Sequence, residues 1–160
     1  MRSSPIRTRW AAIGAAVAVS LGAGGIGIGQ ATTSSGEMPI YVPIEPCRLA
    51  DTRPAPNTVG PRSTPIAADE TYVIGAWGQC GMTSKPTGLS LNVTAVGATQ
   101  PTFLTLFPSS SAWPTASHLN PYPGQPPMPN AVNVDHDGAG DFSIYNKRGT
   151  VDIIIDVVGY

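Results

Sequence analysis

The chain has 160 residues, with 9 Lys and Arg against 10 Asp and Glu, 17 prolines and 18 glycines. That length suits one domain plus a targeting segment. So few charges, with no basic patch, exclude a surface built to neutralise nucleic-acid phosphates, and the prolines argue against a helical bundle.

The N-terminus reads as a targeting segment. Arg2, Arg7 and Arg9 precede an uncharged run over 10–28 rich in Ala, Val, Ile, Leu and Gly; Gly29 and Ala31 then supply small residues for cleavage after Ala31. This is the pattern of a secretory signal peptide over 1–31. An uncleaved membrane anchor is the alternative, since the run approaches the roughly 20 residues that span a bilayer. Its five glycines weaken it as a span. Either way the remainder of the chain is expected outside the cytoplasm, with membrane contact confined to this segment. Without residues 1–31 the chain carries six basic and ten acidic side chains, a net charge of −4.

Residues 32–38 are small and polar, a flexible linker, and the domain is expected over 39–160. The apolar run 40–42 lies among Pro39, Pro43 and Pro46, which offer no amide hydrogen, so it is predicted as an edge strand. CRLADTRP follows at 47–54, then a proline-rich loop over 55–68. A short β run over 71–76 precedes the clearest alternation in the chain, 89–96. There Leu89, Leu91, Val93 and Ala95 share one face, and Ser90, Asn92 and Thr94 the other. The run 102–107 comes after a turn at 97–101, which predicts a hairpin with 89–96. Residues 108–129 form the longest irregular segment, and loops of that length are often functional.

Three runs close the chain: 131–134, 142–145 and 151–158. In the last, Val151, Ile153, Ile155 and Val157 share one face, while Ile154 and Val158 share the other with Asp152 and Asp156. A strand apolar on both faces is predicted to be central. The total, about eight or nine short strands and no 3.6-residue apolar period, predicts an all-β fold: an antiparallel β-sandwich, jelly-roll or Ig-like. Cys47 and Cys80 lack metal-ligand spacing and a nucleophile motif, and in an oxidising compartment they read as one disulfide.

Five blocks in fixed order, YVPIEPCRLADTR at 41–53, LNVTAV at 91–96, ASHLN at 116–120, PNAVNV at 129–134 and DIIIDVVGY at 152–160, carry a resemblance. The chain resembles a secreted module widespread in actinobacterial extracellular proteins, occurring singly or in tandem and sometimes beside hydrolase domains. The resemblance spans nearly all of 39–160 and implies a cysteine-paired β module of no settled activity. The acidic turn at Asp135, His136 and Asp137 departs from similar modules, which carry Gly and small residues there.

Candidate sites each have a structural alternative. Asp51 and Arg53 either bind a polar ligand or form a pair that fixes the loop after the first strand. Asp135, Asp137 and Asp141 place three carboxylates around two glycines, as a calcium loop would, yet EF-hand spacing is absent and a hairpin turn needs the same residues. Trp113, His118, Asn120 and Tyr122, set among seven prolines, are candidate ligand contacts; Trp77 and the aromatic pair Trp113 and Tyr122 would otherwise cap the core. Ser117, His118 and an aspartate make a catalytic triad only on paper, without the sequence context of one. Asp152 and Asp156 are expected to hold neighbouring loops. The reading is a secreted or cell-surface, non-catalytic binding or structural module without a cofactor, calcium aside. Its expected partner is a cell-envelope polysaccharide, an envelope protein or a host-side glycan. The alternatives are an extracellular hydrolase and a calcium-dependent carbohydrate-binding domain.

Overall fold

The structure, a computed structural model, describes residues 40–83 and 85–160. The expected signal peptide or anchor over 1–31 and the linker over 32–38 lie outside the described residues. Seven strands follow in order: β1 (Pro43–Asp51), β2 (Glu70–Gly75), β3 (Gly88–Val96), β4 (Leu104–Pro108), β5 (Met128–Asp135), β6 (Asp141–Asn146) and β7 (Asp152–Gly159). All fall within the unit Tyr41–Tyr160, and among the described residues there is no helix.

The strands form two antiparallel sheets, one ordered β1-β7-β3-β5 and the other β2-β6-β4. Consecutive strands alternate between the sheets at every step. The hairpin expected between 89–96 and 102–107 is therefore absent: β3 pairs with β5 and β7, whereas β4 pairs with β6. The same correction applies to the acidic turn after Asp135, which carries the chain from β5 in one sheet to β6 in the other. Pairing is nested instead. β1 lies against β7, β2 against β6 and β3 against β5, like a ribbon doubled back on itself. At the fold of that ribbon, Leu119 bridges Leu104 on the free edge of β4, a rudimentary eighth strand. The expected run at 40–42 is not a strand of its own; Val42 extends the β1 ladder by exchanging backbone bonds with Tyr160 at 2.7 and 3.0 Å.

The inner faces of the two sheets share one apolar core. Val151, Ile153, Ile155 and Val157 are all fully buried, and β7 is central between β1 and β3. Strand β3 buries Leu89, Leu91, Val93 and Ala95, the face set by its two-residue period. Ile74, Leu104, Leu106, Phe142 and Ile144 meet them from the other sheet. Burying each of the Val, Leu, Ile and Phe side chains contributes about 1.5–3 kcal/mol. Strand β1, which contains Pro43 and Pro46, occupies an edge, where missing amide hydrogens break no ladder. The Cys47–Cys80 disulfide, with its Cα atoms 5.5 Å apart, ties β1 to the segment after β2. Closing a loop of 33 residues stabilises the fold by about 3–4 kcal/mol in the chain-entropy view.

Candidate ligand-binding cleft

Residues 118–122 run along the outer edge of β4. The Leu104 amide donates to the Leu119 carbonyl at 2.9 Å, the Thr102 amide to the Pro121 carbonyl at 3.0 Å, and the His118 amide to the Leu104 carbonyl at 2.8 Å. The His118 ring closes the edge further, its Nδ1 accepting from the Leu106 amide at 3.1 Å. This pairing turns Leu119 into the core and leaves Asn120 and Tyr122 facing outward. Pro121 suits such a place, since an edge residue facing away from its partner needs no amide hydrogen.

Between this segment and its neighbours lies an open cleft of about 450 Å³. Pro101, Phe103, Pro121 and Tyr122 make its apolar lining, and Asn120, Lys147 and Arg148 its polar one. A smaller hollow of about 270 Å³ lies on the other side of Asn120, against His118, Met128 and Asn130. Asn130 fixes that wall by donating to the His118 carbonyl at 2.7 Å. Trp113 stands behind Phe103, its ring 6.3 Å away and nearly parallel, and packs on Tyr145 at 4.5 Å. At 46% exposure Trp113 is half spent on this cluster and half open to solvent.

The cationic side of the cleft is anchored by Asn146. That buried side chain accepts from the Thr102 hydroxyl at 2.7 Å and donates to the carbonyls of Ile66, Ala67 and Gly149. The Thr102 oxygen in turn accepts from the Arg148 amide at 2.8 Å. Gly149 is required here: its φ is +57° and a Cβ would come within 2.7 Å of the Thr99 hydroxyl oxygen. Lys147 pairs with Asp69 at 2.7 Å, and the Tyr145 hydroxyl donates to the same carboxylate at 2.6 Å. The two, Lys147 foremost, hold the Asp69 carboxyl below the usual carboxylate range, and Asp69 raises the Lys147 ammonium in return. The Arg148 guanidinium is exposed and makes no hydrogen bond or ion pair among the described residues.

The other sequence-predicted residues are spent on structure. Asp51 is 1% exposed and accepts from the Arg53 amide at 3.1 Å, from two nitrogens of the Arg53 guanidinium at 2.9 and 2.7 Å, and from Arg48 at 3.1 Å. The Arg53 bonds hold its carboxyl below the usual range despite burial. Asp156 bonds to Arg48 and Asp152 accepts from the Thr52 hydroxyl at 2.8 Å. In the acidic turn, one oxygen of Asp137 accepts from the amides of Ala139, Gly140 and Asp141 at 2.8, 3.0 and 3.0 Å. These bonds, that from Asp141 first, lower its pKa. Asp135 and Asp141 do not join it. Among the described residues no group of three His, Cys, Asp or Glu side chains is placed to hold a metal. No triad assembles at His118 either: Ser117 donates to Asn120 at 3.2 Å, while the imidazole nitrogen serves the β4 edge. Trp77 packs over Gly140, whose absent Cβ leaves room for it.

The structure thus brings Asn120 and Tyr122 into the main cleft, with Trp113 and His118 adjoining it, and sets Asp51, Arg53 and the acidic turn apart. Phe103, Lys147 and Arg148 are the members that sequence reasoning missed. Lys147 and Arg148 form the sole adjacent basic pair after residue 31, which was the available signal. Comparison with protein-family models, with curated proteins and with solved structures finds no match to this chain.

Proposed function

We propose that this protein is a secreted or surface-attached, non-catalytic binding module that engages a cell-envelope polymer through the cleft beside residues 118–122. The observation that carries the reading is the cleft itself: the exposed Tyr122 ring and the half-buried Phe103 ring line it together with uncommitted polar groups on Asn120 and Arg148. Binding sites combine an apolar lining with a few placed polar groups in this way. The state of the titratable side chains favours binding over hydrolysis. Asp51, Asp137, Asp152 and Asp156 serve as acceptors within the fold, and the His118 nitrogen is occupied by an amide. The disulfide accords with an oxidising compartment, and the expected signal segment over 1–31 would deliver the chain there. The nested pairing, with Leu119 as the vestige of an eighth strand, favours the jelly-roll form of the sandwich over the Ig-like one.

The test is retention of the purified protein on cell-wall and polysaccharide fractions, compared with Tyr122→Ala. Retention should fall at least fivefold in the variant, about 1 kcal/mol, while the melting temperature stays put because Tyr122 is 56% exposed. Undiminished retention of Tyr122→Ala and Asn120→Ala would place the ligand elsewhere.

A further inference from the structure

We infer that the ligand of this cleft is an acidic sugar, a pyranose bearing a carboxylate, with the carboxylate on Arg148 and the ring against Tyr122 and Phe103. The inference rests on the cleft being the binding site proposed above and adds the chemistry of what it takes.

Its first support is the state of the cations. Every other Lys and Arg among the described residues holds a carboxylate or a backbone carbonyl. Arg148 holds neither, and it lines the cleft. It acts on Asp69 only through its charge, which helps to lower that carboxyl. Its backbone is fixed by the Thr102 hydroxyl and by the turn at Gly149, so a free guanidinium stands on a rigid base. A guanidinium presents two parallel donors, and a carboxylate is the planar acceptor that matches them.

The second support is what the cleft has already used. A peptide docking as an extended strand needs free backbone groups along an edge. On this edge of β4 the amides of Thr102, Leu104 and Leu106 donate to residues 118–121. Recognition is left to ring faces and side chains. Tyr122 and Phe103 supply flat apolar surface for the C–H face of a sugar. The Asn120 amide, whose oxygen already accepts from Ser117, still offers its NH₂ to a ring hydroxyl. The cleft volume, about 450 Å³, lies within the roughly 300–1,000 Å³ of small-molecule sites.

The test is titration calorimetry of the whole protein with a β-1,4-linked oligosaccharide of glucuronic acid, with its carboxyl-reduced glucose counterpart and with oligoglutamate. Binding of the acidic sugar is expected to weaken about tenfold or more in Arg148→Gln, as for loss of a charge-assisted bond, and to weaken with salt. The neutral sugar should bind more weakly and be indifferent to Arg148→Gln. Equal affinity for the two sugars, or an acidic sugar indifferent to Arg148, overturns the inference; if Tyr122→Ala abolishes that binding, the cleft stands and only its acidic preference falls. Oligoglutamate binding as well as the acidic sugar overturns it in favour of a peptide. No retention of any envelope fraction and no sugar binding defeats the cleft reading itself. Because Arg148 is exposed, its variant should fold, and an unchanged melting curve checks this.

Discussion

Two regions of this molecule use arginine in opposite ways. Along β1, Arg48 and Arg53 close on Asp51, and Arg48 reaches across to Asp156 on the neighbouring strand. The carboxylate at the centre is buried and every bond it makes is internal. At the cleft, Arg148 faces solvent beside the exposed Tyr122 ring and pairs with nothing among the described residues. The contrast teaches that density of charged residues in a sequence is a poor guide to function. CRLADTR is the most charge-rich motif of the domain's first half, and it is spent on holding β1 in place. The paired Lys147 and Arg148 divide the two roles, Lys147 being held by Asp69 and Arg148 left free.

The comparison is broken most sharply by Asp51→Ala. Removing a buried carboxylate leaves the Arg53 amide and guanidinium without their internal acceptor, while Arg48 keeps Asp156, and the expected loss is about 2–3 kcal/mol. Urea unfolding measures it; a loss under about 1 kcal/mol would make the network ornamental. Its pH signature follows from the lowered carboxyl. The stability it contributes is complete above the ordinary Asp value near 3.9 and is lost as pH falls through the lower folded value.

Trp113→Ala comes next, since Trp113 belongs partly to each kind of region. Its contacts with Phe103 and Tyr145 predict a loss of about 1–2 kcal/mol, together with weaker ligand retention because Phe103 loses its support. A destabilised variant with normal retention would assign Trp113 wholly to the core.

His118 should give a smaller effect, seen in pH dependence. Burial lowers its pKa, and the neutral ring accepts the Leu106 amide. The stability from this neutral ring is complete above about pH 6.5 and lost as pH falls through the depressed value. Between about pH 7 and pH 5 the melting temperature of the wild type should fall relative to His118→Gln. Parallel curves would mean that the ring is not titrating against the fold. Arg148→Ala should be the least consequential for folding, within about 0.5 kcal/mol, and a larger loss would return it to the class of Arg48.

The faces of the strands were legible in the sequence, and their partners were not. Alternation at 89–96 and the doubly apolar run at 151–158 marked what is buried, because side-chain direction follows a two-residue period. Position within the sheet followed in part: the prolines marked an edge, although the strand there is Pro43–Asp51 rather than the expected 40–42, and the most apolar strand lies in the middle. What failed was the inference from a short turn to a hairpin. Gly97 and Gly140 have φ of +63° and +98°, values that serve equally in a hairpin and in a link that crosses to the other sheet. The core needs two layers, and here each link supplies the change of layer. For the site, the segment 108–129 was marked by length and aromatics, which found Asn120 and Tyr122. Phe103, Lys147 and Arg148 come from links on the other side of β4 and β6, and only the fold makes them neighbours.

The alternation of strands between the two sheets also sets the order in time in which the molecule can assemble. None of the seven strands pairs with the one before or after it; local pairing among the described residues is limited to short bridges such as that between the β4 edge and residues 118–121, and Arg48 meets Asp156 across 108 residues. Domains dominated by such distant contacts fold over about milliseconds to seconds rather than microseconds. β1 has no strand partner other than β7, the last strand. A chain threaded N-terminus first, off a ribosome or through a pore, therefore keeps β1 unpaired until β7 has emerged, and its larger sheet closes only then.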